Sequence, residues 1–276
     1  MMSSPRNLSS MTGKAFFALM IMAIQLLPIY ITLTVALKGQ TDLSSVWHLP
    51  AKPLWDNFAQ AFVAGKVARA FMNTGIITVV ATVAVVILGA LAGYPLARSP
   101  SKINTFVNHF ILAILMIPAL SLLVPLYVLM NRLHAISTFA GIIPVHVAFN
   151  LPLTVFLFTN FMRSLPRELD EAAFLDGCSV YSIFYRIMLP LLKPVTVTSV
   201  ILTSVAVWND FQFSVYFLQK SGMRVITLAI NGFFGISGSN LHVGSAAALL
   251  SILPVTVMFL FLQRYFVSGM VAGALK

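Results

Sequence analysis

The sequence predicts an all-α, polytopic membrane protein with six transmembrane helices. Three observations carry the prediction: a deficit of charge, a series of long charge-free windows, and one polar insert between two of them. Of 276 residues, 59% are hydrophobic and 9% charged, and the mean hydropathy is +0.94. A soluble domain carries about 25% charged residues. A chain with so few cannot cover a water-facing surface, so lipid is the solvent for most of it.

The windows locate the spans. Lys14 and Lys38 bracket 23 residues without a charge, Arg69 and Arg98 bracket 28, Lys102 and Arg132 bracket 29, and Arg132 and Arg163 bracket 30. Lys193 and Lys220 bracket 26, interrupted only by Asp210. A final window of 39 residues, 225–263, opens on a segment containing Asn231, Gly232, Gly235, Gly238, Ser239 and Asn240. That composition reads as a loop or re-entrant segment, and about 244–263 as the sixth span. Each window exceeds the roughly 20 residues that a helix needs to cross the hydrocarbon core. The first is longer than a signal-peptide core and has no cleavage site after it, so it is read as a retained span. The whole chain, 1–276, is expected to be a single transmembrane domain.

The formal net charge is +10. The basic residues lie in short gaps between apolar runs, which fits membrane-surface anchoring and topology; no basic cluster with interleaved exposed aromatics suggests nucleic acid. An even span count puts both termini on one side. Placing them inside puts 10 of the 17 basic residues in the cytoplasm, a thin positive-inside bias. Cys178 is the only cysteine, and no Cys/His spacing suggests a metal site.

Two loops are long enough to hold structure. In the first, Trp55, Phe58 and Phe62 fall at helical spacing; this suits a helix in the membrane interface, or equally an ordinary loop anchored by tryptophans. The second, residues 163–194, holds four of the seven acidic residues: Glu168, Asp170, Glu171 and Asp176. Pro166 and the acidic residues predict a helix over 166–176, stopped by Gly177, with Leu169, Ala172, Ala173 and Asp176 on one face. Ser179 caps a second helix carrying Phe184, Ile187 and Leu191, limited by Pro190 and Pro194. Two short helices bent at Gly177, small and acidic on one face, make a rigid peg for a cytoplasmic partner.

Glu171-Ala172-Ala173, then Asp176-Gly177, then Phe184, Ile187 and Leu189-Pro190 resemble the EAA loop of bacterial ABC-importer permeases. The preceding Leu165-Pro166-Arg167-Glu168-Leu169-Asp170 fits as well, with Cys178 standing where that family often has alanine. Weaker likenesses extend the match from Asn57 onward: Asn73-Thr74 in the second span, Trp208-Asn209-Asp210-Phe211 in the fifth, and the tail from Gln263 to Gly269. They are similar to the carbohydrate-uptake branch, in particular to the maltose-type second permease subunit. The resemblance implies a bacterial inner-membrane permease with a cytoplasmic coupling-helix loop and both termini cytoplasmic. It implies a partner ATPase dimer, a second homologous permease and an extracytoplasmic solute-binding protein. ATP and magnesium are then held by the ATPase and no cofactor by this chain, which lacks a glycine-rich phosphate loop followed by Lys-Ser/Thr. Glu168, Glu171, Ala172, Ala173, Asp176, Gly177, Phe184, Leu189 and Pro190 are the implied coupling residues.

The cargo path is read from polar groups inside spans, where they are costly. Asp210 is the outlier, flanked by Trp208, Asn209 and Gln212; amide and carboxyl groups beside aromatic rings suit a sugar. The alternatives are a structural hydrogen bond between helices, or a position near the outer end of the span. Asn150, before Pro152, is a further path candidate. An importer of amino acids, peptides or polyamines is the runner-up. A stand-alone secondary transporter would show more paired intramembrane charges, and no convergent nucleophile, base or metal set suggests a membrane enzyme.

Overall fold

The computed structural model describes residues 8–64, 67–234 and 240–274, with side chains for 13–63, 67–234 and 240–263. All regular structure among the described residues is helical. In chain order the α-helices are α1 (Leu8–Ala36), α2 (Asp56–Ala64), α3 (Val67–Arg98), α4 (Lys102–Leu115), α5 (Leu123–Arg132), α6 (Phe139–Ser164) and α7 (Glu168–Leu175). They continue as α8 (Val180–Ile183), α9 (Leu189–Leu191), α10 (Lys193–Trp208), α11 (Gln212–Phe217), α12 (Ile226–Asn231) and α13 (Leu241–Ala274).

Four segments are long and apolar enough to cross a membrane alone: Gly13–Ala36, Val67–Arg98, Phe139–Ser164 and Leu241–Gln263. Counting each of two bent helix pairs as one span gives up to six, although the second pair takes in α8 and α9 of the 163–194 insert, which the sequence places outside the fifth window. Lys102–Leu115 and Ala119–Arg132 meet at 93°, and Val180–Leu191 and Lys193–Trp208 at 73°. The first bend falls at Met116-Ile117-Pro118, where proline removes a backbone donor and disfavours helix at the residue before it. The second falls at Leu192, just ahead of Pro194 in the first turn of α10.

The fifth span departs from the reading of one continuous helix. α10 stops at Trp208, so its 16 residues reach about 24 Å at 1.5 Å per residue, short of the ~30 Å core. Asp210 therefore lies in a break between α10 and α11, not at a helix centre.

The chain divides into two compact units. One holds residues 1–67 and 230–252. Here the segment after Trp55 is helical, as α2, and Asn57 Nδ2 donates to the carbonyls of Ala36 and Lys38, both at 2.8 Å. Lys38 Nζ is itself buried and donates to Ser44 and Ser45. Buried polar side chains thus fasten the loop after α1, while Trp47 and Trp55 stay exposed. Of the 231–240 segment read as loop or re-entrant, Gly235, Gly238 and Ser239 lie outside the described residues, and α12 ends at its first residue, Asn231.

The other unit holds residues 68–229 and 253–276. One core gathers Ile77, Ile142, Val145, Phe213 and Phe217; another gathers Phe158, Met162, Ala173, Phe184 and Met188. The close approach of α3 to α6 depends on Gly93, where an added Cβ would sit 2.9 Å from Phe158 Cβ and 3.3 Å from the backbone nitrogen of Thr159. Asn73 and Thr74 are buried and structural. Asn73 Nδ2 donates to the carbonyls of Gly222 and Arg224, and the Ile226 N–H donates to Thr74 Oγ1 at 2.9 Å. Much of α3 that faces away from these cores, including Met72, Val79, Val83 and Ile87, is exposed and apolar, as a lipid-facing surface is.

Candidate functional site

The polar insert folds as two turns of helix, a stop, and a second helix. α7 begins at Glu168, two residues later than predicted, and ends at Leu175; at eight residues it is about 12 Å long. Glu168, Asp170 and Glu171 occupy its first turn, where the helix dipole favours negative charge. Gly177 takes φ +82°, the left-handed conformation that lets a helix stop and the chain turn. Its N–H donates to Phe174 O at 3.0 Å, and the Cys178 N–H to Ala173 O at 3.0 Å. Ser179 caps α8 as expected, its Oγ accepting from the Ser182 N–H at 3.3 Å.

Past Ile183 the helix loosens into a π turn, Phe184–Met188, before α9. Pro190 explains it. Proline has no N–H for the carbonyl four residues back and its ring collides with that carbonyl, here Arg186. Widening by one residue relieves the clash, and the Leu189 N–H then reaches Phe184 O.

The insert is split between inside and outside residue by residue. Ala173, Ile183, Phe184 and Met188 are buried against Phe158 and Met162 of α6. Glu168, Glu171, Ala172, Asp176 and Gly177 are exposed, and so are Leu189 and Pro190. Phe174, Leu175, Val180 and Tyr181 add apolar surface at 68%, 87%, 57% and 80% exposure. The predicted shared face of Leu169, Ala172, Ala173 and Asp176 is therefore divided. Ala173 lets α7 approach its own protein closely, and Ala172 is the small residue left facing outward.

A tether from α3 fixes this division. Arg98 Nη2 lies 2.9 Å from Asp170 Oδ2, with side chains only 9% and 17% exposed. Tyr94 Oη donates to Asp170 Oδ1 at 2.9 Å, and Arg98 Nη1 donates to Leu165 O at 3.0 Å. Arg163 Nη2 in turn donates to Leu96 O at 3.1 Å. The last turn of α3 thus holds both the start of α7 and the chain leading into it.

A second polar cluster surrounds Asp210. Its Oδ1 accepts from the Phe213 N–H at 3.2 Å, and its Oδ2 from the Ser214 N–H at 2.9 Å and the Ser214 hydroxyl at 2.7 Å. This is a helix cap: the carboxylate satisfies the first free donors of α11. The Asp210 carbonyl accepts from Thr227 Oγ1 at 2.6 Å, and His146 Nε2 stands 3.8 Å from the carboxylate. The neighbours divide. Trp208 is buried against Phe71, with ring centroids 6.0 Å apart, whereas Asn209 and Gln212 are exposed. Asn150 is half-buried and donates to its own helix at His146 O, 2.8 Å away. No group of three metal-ligating side chains occurs among the described residues.

The family described as "Binding-protein-dependent transport system inner membrane component" matches residues 85–271. The chain belongs to this family. It is a permease subunit, an integral inner-membrane component of an ABC importer and not an enzyme. Among similar proteins, the "Melibiose/raffinose/stachyose import permease protein MelC" of Bacillus subtilis is 43% identical over 91% of both chains. The "Arabinooligosaccharides transport system permease protein AraQ" of the same organism is 32% identical over 94% of both. In structure the permease is similar to a chain of a bacterial ABC transporter involved in the import of the acidic polysaccharide alginate. The TM-score is 0.79 with 19% identity, over 96% of this chain and 99% of that one.

Within this permease, Tyr94 and Arg98 are functional residues that no motif marks. In the sequence Arg98 counts as a topology charge, and Tyr94 lies in an apolar window. The one signal that pointed to them was Asp170 itself, an acidic residue in a loop with basic residues at both ends.

Proposed function

We propose that this permease is one of two membrane subunits of an ATP-driven importer of a sugar or oligosaccharide, and that its 163–194 loop couples ATPase closure to alternating access. The observation that carries the reading is the outward ridge of that loop. Glu171, Ala172, Leu175 and Tyr181 are exposed, while Ala173, Phe184 and Met188 root the same segment in the core. Exposed apolar side chains on a polar loop mark an interaction surface, and the rigid root lets a push on the ridge move α3 and α6. ATP and magnesium belong to the partner ATPase dimer, which docks on the ridge. Glu168 and Glu171 meet its polar groups, Ala172 permits close contact, and Gly177, Leu189 and Pro190 keep the shape of the peg.

The loop end of the permease then faces the cytoplasm, with both termini on that side. A second homologous permease completes the path, and an extracytoplasmic binding protein delivers cargo. The relatives named for melibiose, raffinose, stachyose and arabinooligosaccharides support a sugar cargo. Asn209 and Gln212 are exposed beside a capped helix break and can meet hydroxyl groups, Asn209 through its amide oxygen, since its Nδ2 donates to Val205 O at 3.0 Å. Asp210, Trp208 and Asn150 shape the path behind them.

The test is reconstitution of the permease with its ATPase, second permease and binding protein in liposomes. An oligosaccharide is expected to stimulate ATP turnover and to be taken up only with ATP. Stimulation by amino acids or polyamines instead would reassign the cargo. Uptake in liposomes lacking the ATPase would overturn the coupling mechanism.

A further inference from the structure

A cavity of about 330 Å³ opens beside the tether, between the end of α3, the first turns of α4 and the chain entering α7. Arg98, Arg163 and Arg167 line it, joined by Asn104, Thr105 and Asn108 along α4. No lining residue is acidic. The charge of Arg98 is answered by Asp170, but its buried Nε has no hydrogen-bond acceptor. Neither Arg163 nor Arg167 meets a carboxylate among the described residues. Two separate segments thus bring three guanidinium groups to one polar hollow with at least two positive charges unanswered.

The other face of α4 points elsewhere. Ile103, Phe106 and Phe110 are 74%, 68% and 55% exposed, and no residue of this 14-residue helix is buried. A polar cavity therefore adjoins an apolar surface suited to acyl chains. Guanidinium groups bind phosphate oxygens through paired N–H donors, and basic pockets at the cytoplasmic ends of membrane helices take anionic headgroups.

We infer that this cavity binds a phosphate group, supplied by the headgroup of an anionic lipid of the cytoplasmic leaflet. The side assignment rests on the orientation proposed above; the binding chemistry does not. With Arg98 shared between Asp170 and the cavity, an occupied cavity braces the tether of α7, making the coupling loop sensitive to lipid composition.

The experiment is native mass spectrometry of the purified full-length permease titrated with short-chain phosphatidylglycerol, phosphatidylcholine or inorganic phosphate. Phosphatidylglycerol is expected to bind in preference to phosphatidylcholine. The double variant Arg163→Gln/Arg167→Gln is expected to weaken it on the order of tenfold. Thr105→Glu supplies a second variant: it puts a carboxylate in the cavity, and a glutamate in a first helical turn is compatible with folding. Arg132→Gln, outside the cavity, should leave binding unchanged. Inorganic phosphate that displaces the lipid and depends on the same arginines would support the phosphate site and make free phosphate its source. Equal binding of both lipids, or equal phosphatidylglycerol binding by wild type and both cavity variants, would overturn the inference. ATP-driven uptake is not the readout, so failure of the transport reading would leave this result standing.

Discussion

Gly177 and Asp210 each do a job that their side chain, or lack of one, makes possible. At φ +82° with open space around it, Gly177 resists substitution for conformational rather than steric reasons. A β-branched residue there costs about 1–2 kcal/mol of backbone strain, enough to shift the exposed ridge without unfolding the spans. Gly177→Val is therefore expected to insert normally and to lose most ATP-driven uptake; uptake equal to wild type would count against coupling through this turn. Asp210 was legible in the sequence as an outlier but not as a cap. A charge-free window marks where a span can lie and carries no sign of a helix break when neither proline nor glycine makes it. Asp210→Asn keeps an acceptor for the N–H groups of α11 and should retain most transport. Asp210→Ala leaves those donors unpaired, costing about 1 kcal/mol, and should lower the melting temperature and transport together. If Asp210→Asn abolishes transport while stability is unchanged, the carboxylate contacts cargo or a proton and is more than a cap.

At the scale of elements, the tether between α3 and α7 sets which face of α7 is inside. Breaking a buried ion pair from one side strands the other charge, at about 3 kcal/mol or more. Asp170→Ala should thus destabilise the permease more than the double variant Asp170→Ala/Arg98→Ala, read by thermal unfolding; additive losses would show that the pair is not coupled. The helices of the insert were legible because charge, Ser179 and Gly177 stand out in an apolar chain. The orientation of α7 was not. Ala172 and Ala173 are adjacent and identical, and only a contact reaching back to Tyr94 and Arg98 turns one inward. Nor was the π turn legible, since Pro190 read only as a helix limit. Pro190→Ala restores a donor, and the 184–188 segment is expected to relax toward α geometry. Altered hydrogen exchange at 184–190, with reduced coupling, is the expected outcome; unchanged exchange would remove proline as the cause.

At the scale of the whole molecule, the six-span count stood on charge spacing, while the 93° bend depended on Pro118 within a window that hydropathy alone draws straight; the 73° bend falls where the loop's second helix was expected to end, before the fifth span. What joins the scales is a polar insert rooted in the second and fourth spans and exposed along one ridge. The most direct test of its role is cysteine cross-linking to the partner ATPase in a Cys178→Ser background. Single cysteines at Ala172, Leu175 or Tyr181 should form nucleotide-sensitive cross-links to the ATPase, and a cysteine at Ala173 should not. Cross-linking from position 173 but not 172, or none from the ridge in a complex that still transports, would contradict the account.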